Sequence, residues 1–220
     1  MNRFSKLMLL SALSAATFVA CKRDKLNPSA SEINGDATSE IKGEADLFGN
    51  SPAAFIAASE KLTMPASVDL PANLPSGNSR VATYYAVGVQ KYKAREKAGS
   101  SPVTYEWVFV APQADLYDAT NAKVGTHAAG PHWQLSPVDS IFAQHFSPAR
   151  TAPSQDPESI DWLLLMPKAG TTPTGVFADV DYIQRIATKG GKAPTTPPVS
   201  ATQTVDVKYK AVYRFSKINP

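Results

Sequence analysis

Six apolar side chains, Val205, Val207, Tyr209, Ala211, Tyr213 and Phe215, stand at every second position near the C-terminus, with Asp206, Lys208, Lys210 and Arg214 between them. Only an extended chain puts such a series on one face, because successive side chains of a strand point to opposite sides. The segment therefore predicts a strand with one dry and one wet side, and the dry side demands a covering layer. Proline restricts what that layer is made of. Eighteen prolines against twelve glycines in 220 residues favour turns and short elements over long helices.

Other stretches read the same way. Residues 81–92 carry Val81, Thr83, Tyr85, Val87 and Val89 on one side and Tyr84, Ala86 and Tyr92 on the other, so both faces are partly covered. Residues 103–110 alternate, and residues 160–166 form an apolar run bounded by Pro157 and Pro167 that fits a strand covered on both faces. Residues 176–186 alternate again, with Phe177 and Ile183 opposite Val180 and Tyr182, and residues 190–198 are a loop by turn chemistry. One short helix is predicted over 52–62, with Ser51 as N-cap and Pro52 at the first helical position. Pro65, Pro71 and Pro75 then favour an extended edge. The pattern predicts an all-β domain over 51–220, a single antiparallel β-sandwich or, alternatively, a closed β-barrel, with a short N-terminal helix.

The N-terminus carries a different message. Arg3 and Lys6 precede an apolar run from Leu7 to Val19, and small residues lead to Cys21, the only cysteine. That layout predicts a signal peptide over 1–20. Residues 18–21, Phe-Val-Ala-Cys, resemble a bacterial lipobox, with Phe18 where leucine is usual; the resemblance implies an exported lipoprotein whose Cys21 carries acyl chains. Several chains make a stable anchor where one is marginal. Residues 22–50 are poor in large apolar side chains and read as a flexible tether. The expected partners are therefore the membrane, through the lipid on Cys21, and an unknown small molecule, glycan or envelope protein. Removing Arg3 and Lys6 leaves 20 basic against 19 acidic residues, a balance with no basic face for nucleic acid.

A longer series of motifs spans the domain: Gly88-Val89-Gln90-Lys91-Tyr92, then Trp107 to Tyr117, then Val124-Gly125-Thr126-His127-Ala128-Ala129-Gly130-Pro131-His132-Trp133, Ile160 to Leu165, Val180 to Pro194 and Tyr209 to Phe215. Taken in order, over roughly residues 68–215, the series resembles the domain-of-unknown-function 3455 family (DUF3455). The resemblance implies an exported domain and assigns no reaction. Relatives often carry cysteines near the positions of Ala94 and Val199, so the disulfide they imply, typically worth about 2–4 kcal/mol, is absent here. Relatives usually read Pro-Thr-Trp-Glu where this chain has Pro131, His132, Trp133 and Gln134.

The chemistry-bearing candidates gather near residues 125–133. His127 and His132 invite a metal, with Asp115 or Asp139 as an oxygen ligand, but at five residues apart on a strand they point to opposite faces unless the turn at Gly130 and Pro131 reunites them. A Ser140, His127 and Asp139 triad lacks a nucleophile elbow, and Asp179 with Asp181 reads as a solvated face. No Gly-rich phosphate or dinucleotide loop occurs, so no cofactor is predicted. Gln90 and Gln184 share the parity of apolar neighbours, and a buried amide needs partners. They serve either as a network that fixes register or as the floor of a ligand pocket, with His127, Trp133, Arg185 and residues 189–194 at its rim. In the pocket reading Trp133 stacks on a flat ligand and Arg185 clamps a carboxylate. Two functions stay open: an envelope-anchored domain that binds a ligand or partner, or an envelope hydrolase or metal-dependent enzyme centred on His127, with binding favoured over catalysis. For the anchor, Cys21→Ser is expected to release the chain from the membrane fraction on cell fractionation; unchanged membrane association would exclude lipidation.

Overall fold

The computed structural model describes residues 51–220; the signal peptide, the lipidation of Cys21 and the tether expected from the sequence lie outside the described residues. One helix, α1 (Pro52–Ser59), precedes eight strands: β1 (Asn78–Glu96), β2 (Tyr105–Tyr117), β3 (Lys123–Ala128), β4 (His132–Ser136), β5 (Asp139–Ala152), β6 (Trp162–Pro167), β7 (Tyr182–Gly190) and β8 (Thr204–Ile218). Helix α1 starts as predicted: Pro52 occupies its first turn, and the Ser51 hydroxyl accepts a bond from the Ala54 amide at 3.3 Å.

The sheet is antiparallel throughout. Each strand pairs with the next, and β8 returns to β1 over a register that runs from Asn78 opposite Ile218 to Lys93 opposite Thr204. The all-β antiparallel expectation with one short helix holds, and of the two arrangements left open the strand pairing forms the closed one. Closure satisfies every edge within the ring.

Period two sorts the side chains into two layers. Ala86, Ala114, Leu116, Trp133, Ile141, Ile183, Tyr213 and Phe215 fill the interior. Tyr85, Trp162, Leu164, Tyr182, Ile186 and Val212 point outward, where Ile56, Val68 and the flanking Phe55 and Leu62 cover them. The interior is asymmetric. Gly88 sits opposite Ala114, and a Cβ on it would stand 2.1 Å from the Gln113 carbonyl oxygen. Only glycine permits that approach, and with Ala86, Ala114 and Ala211 it lines the interior with small residues beside the large rings of His127 and Tyr213.

Three local expectations change. The face of β8 predicted to be wet is dry from Tyr209 to Ser216, because α1 lies across it. Arg214 is 5% exposed and donates from Nη2 to the Ser59 carbonyl at 2.7 Å while pairing with Glu60 at 3.2 Å. Lys210, 3% exposed, sits over the Phe55 ring at 5.5 Å. Residues 176–181 are not strand: a 3₁₀ turn at Gly175–Phe177, continued by the Val180 amide donating to the Phe177 carbonyl at 3.0 Å, sends Phe177 and Val180 into the same core as Ile183. The proline-rich segment is not an extended edge either. It turns at Pro65, whose carbonyl accepts from Val68 and Asp69, and Val68 is fully buried in the outer layer.

Candidate functional site

The hairpin of β3 and β4 turns through Gly130, whose φ of +112° suits glycine. Its register places His127 directly opposite Trp133 and Ala128 opposite His132. His127 stacks on the indole of Trp133 at 4.4 Å and 14°, and Tyr213 and Phe215 meet the same indole edge-on at 5.1 and 5.6 Å. Trp133 is wholly buried. It is therefore part of the core, with no exposed face for a flat ligand, contrary to the stacking role that its position suggests in sequence.

The turn does not reunite the two imidazoles. His132 stacks on Phe142 at 4.1 Å and contributes only its backbone to His127, whose Nδ1 lies 2.9 Å from the His132 carbonyl oxygen. A carbonyl only accepts, so Nδ1 carries the proton and Nε2 is left as an acceptor. Burial pushes the His127 pKa from 6.5 down to about 3, with the Arg185 and His132 charges acting in the same sense and the carbonyl bond opposing them. The other members of the metal and triad readings are engaged elsewhere. Asp115 pairs with Lys123 at 2.8 Å, Asp139 accepts from Ser136 Oγ at 2.5 Å and from the Val176 amide at 2.9 Å, and Ser140 meets Thr174. Among the described residues no three His, Cys, Asp or Glu side chains cluster closely enough to hold a metal. Asp181 accepts from the Ile218 amide, and the exposed Asp179 lies 3.8 Å from Lys217.

Above the aromatic stack the barrel holds a cavity of about 130 Å³. Gln90, His127, Trp133 and Arg185, four of the residues singled out from sequence, line it together with Tyr213, Leu163, Leu165, His145 and the turn at 129–131. A more open hollow of about 390 Å³ shares Gln90, Phe109, His145, Leu163 and Arg185 with it and adds Tyr92, Ile160, Asp161 and Lys192. Gln184 is elsewhere. Its neighbours at the same parity, Tyr182 and Ile186, face the outer layer, and its Nε2 donates to the Val68 carbonyl at 2.8 Å, so it ties the proline-rich segment to β7.

The remaining parts position the site. Arg185 donates from Nε and Nη2 to the Asp161 carbonyl at 3.1 and 2.7 Å, and among the described residues no carboxylate pairs with it. Gly191, at φ +87°, brings its backbone against Gln90: a Cβ there would lie 2.9 Å from Tyr209 Cβ and 3.1 Å from Gln90 Cγ. The Tyr92 hydroxyl holds this loop by donating to the Gly191 carbonyl at 2.6 Å. His145, absent from the sequence candidates, reaches the mouth because the pairing of β5 with β6 breaks between His145 and Arg150. Such irregularities re-aim side chains beside sites, but an exposed histidine in a polar stretch carries no periodic signal.

The neutral, buried His127 makes stability depend on pH. The folded ring stays unprotonated down to about pH 3 while the unfolded ring takes its proton near 6.5. The unfolded chain binds more protons between those values, so this contribution is complete above the window and is lost as pH falls through it. Urea unfolding is expected to show the wild type losing stability more steeply than His127→Phe, which keeps a ring on Trp133, between about pH 6.5 and pH 4; parallel curves would contradict a neutral buried imidazole.

Comparison with known proteins gives one match. Residues 75–217 match the model of the family described as Protein of unknown function (DUF3455). No curated protein matches, and no solved structure matches. The family match spans well over half of the chain and holds all of the cavity residues named above, and the chain therefore belongs to the DUF3455 family.

Proposed function

We propose that the protein is an exported, lipid-anchored domain at the cell envelope that binds a small molecule in the cavity above the His127 and Trp133 stack. The observation that carries this reading is a concentration of unpaired donors. Gln90 Nε2 and Trp133 Nε1 are both buried without a hydrogen-bond partner and line the same cavity, where the buried Tyr213 hydroxyl lies between Tyr209 and Arg185. A buried polar group left unpaired costs roughly 1–3 kcal/mol, and folded proteins keep few of them. A ligand with acceptor atoms offsets that cost where internal partners do not. The size of the cavity favours a small molecule over a glycan chain or a protein segment. The anchor part of the reading rests on residues 1–21.

The competing reading, a hydrolase or metal-dependent enzyme centred on His127, has weaker support. Its imidazole is tied to the His132 carbonyl and holds a pKa far below the range that suits a general base at neutral pH. Ser140 and Asp139 bond to other partners.

A thermal-shift screen of the full chain against small acids, sugars and amides tests the binding reading. Ligands that raise the melting temperature are expected to lose their effect in Ala129→Phe, a substitution on the exposed turn at the cavity wall that leaves the core untouched. Ligands that stabilise this variant and the wild type equally would place binding elsewhere and overturn the reading.

A further inference from the structure

The geometry points to a small monocarboxylate as the molecule this cavity takes, its carboxylate on Arg185 and Gln90 and its carbon chain against Leu163, Leu165 and Phe109. The inference rests on the binding reading above and names the ligand class.

Four observations carry it. The first is the unbalanced charge. Arg185 reaches both the cavity and the adjoining hollow, where it donates to the Asp161 backbone carbonyl and lies against the Tyr213 hydroxyl, with no carboxylate among the described residues paired to it. A guanidinium presents donors in a planar fork, and the Nη groups not used on Asp161 remain for a second, anionic acceptor. The second is the sign of the polar groups. Besides Arg185, the cavity wall offers the Gln90 amide and the Trp133 indole N–H as unpaired donors, with the Tyr213 hydroxyl beside Arg185 and Tyr209. Burial pushes the Tyr213 phenol up even against the Arg185 charge, which keeps it a neutral donor. A donor-lined site selects a ligand rich in acceptors.

The third observation is the distribution of acidic groups. Asp161 is the one carboxylate in the hollow and the cavity itself has none; it is exposed and meets Arg185 through its backbone oxygen. Lys192, at the outer edge, donates to the Pro157 carbonyl. The fourth is the balance of one cation against apolar walls. A phosphate or sulfate gathers several cations or a nest of backbone amides, whereas a carboxylate is matched by one guanidinium and leaves an apolar chain to fill the rest. The volume of about 130 Å³ sets a short chain.

The test compares isosteric pairs on the full chain by NMR titration: propionate against propionamide and butyrate against butyramide, with inorganic phosphate as the third arm. The carboxylates are expected to bind at least tenfold more tightly than their amides, a difference of about 1.4 kcal/mol, and to shift the Gln90 side-chain amide and Arg185 Nε resonances. Arg185→Gln is expected to lower carboxylate affinity at least tenfold and bring acid and amide level, with Arg185→Lys retaining part of the preference. If Arg185→Gln does not fold, the acid and amide comparison on the wild type and on Gln90→Leu still decides. Equal binding of acid and amide, tighter binding of phosphate, or no carboxylate binding overturns the monocarboxylate assignment. In the first two cases, shifts at Gln90 and Arg185 would leave the small-molecule reading standing. That reading fails separately, when ligands from the thermal-shift screen ignore Ala129→Phe.

Discussion

The strands of a closed sheet enclose a space that side chains have to fill, and here a stack of rings from β3, β4 and β8 does so beside glycine and alanine of β1, β2 and β8. Trp133 lies at its centre, with His127 on its face and Tyr213 and Phe215 at its edges. Each aromatic pair adds about 0.5–1.5 kcal/mol beyond the area it buries. Gly88 lets β1 run close to β2 at Gln113 and Ala114, and Ala114 stands directly opposite His127 of the stack. The same stack bounds the cavity: His127, Trp133 and Tyr213 line it together with Gln90, Arg185 and the 129–131 turn.

The outer layer depends on this barrel in turn. A strand whose two faces are both apolar needs cover on both, and β8 receives it from the ring stack inside and from α1 outside. Polar contacts fix the position of the outer cover. Arg214 reaches Ser59 and Glu60, while Gln184 reaches Val68. A buried arginine with its partners removed costs several kcal/mol, so these bonds specify one placement of α1 among the many that apolar contact alone allows.

Alternation in the sequence identifies strands and pairs of faces, and it does so well for β1 and β8, while β6 is legible from its continuous apolar run. It does not say which face turns inward. Gln90 and Gln184 have equivalent surroundings as letters, yet one lines the cavity and the other bonds to the outer segment, since adjacent Arg185 takes the inward position. The polar residues of β8 read as a solvated face because the helix that covers them lies some 150 residues earlier, as the separation of Ser59 and Arg214 shows. Strands β3 to β5 are short or polar and were legible mainly through the hairpin at Gly130. His145 entered the site through a break in pairing that leaves no mark on composition. The convergence of His127, Trp133, Arg185 and Gln90 was legible, but the role of Trp133 was not, because burial of an indole depends on rings from β8.

Fold and site meet in one claim: the ring stack leaves a preformed cavity whose donors wait for an acceptor. A high-resolution crystal structure of the full chain grown with propionate tests it most directly. The expected result is a carboxylate within hydrogen-bond distance of Arg185 and the Gln90 amide, with the His127 and Trp133 stack unmoved. A cavity filled by repacked side chains, with the Gln90 amide and Trp133 indole N–H bonded internally, would contradict it.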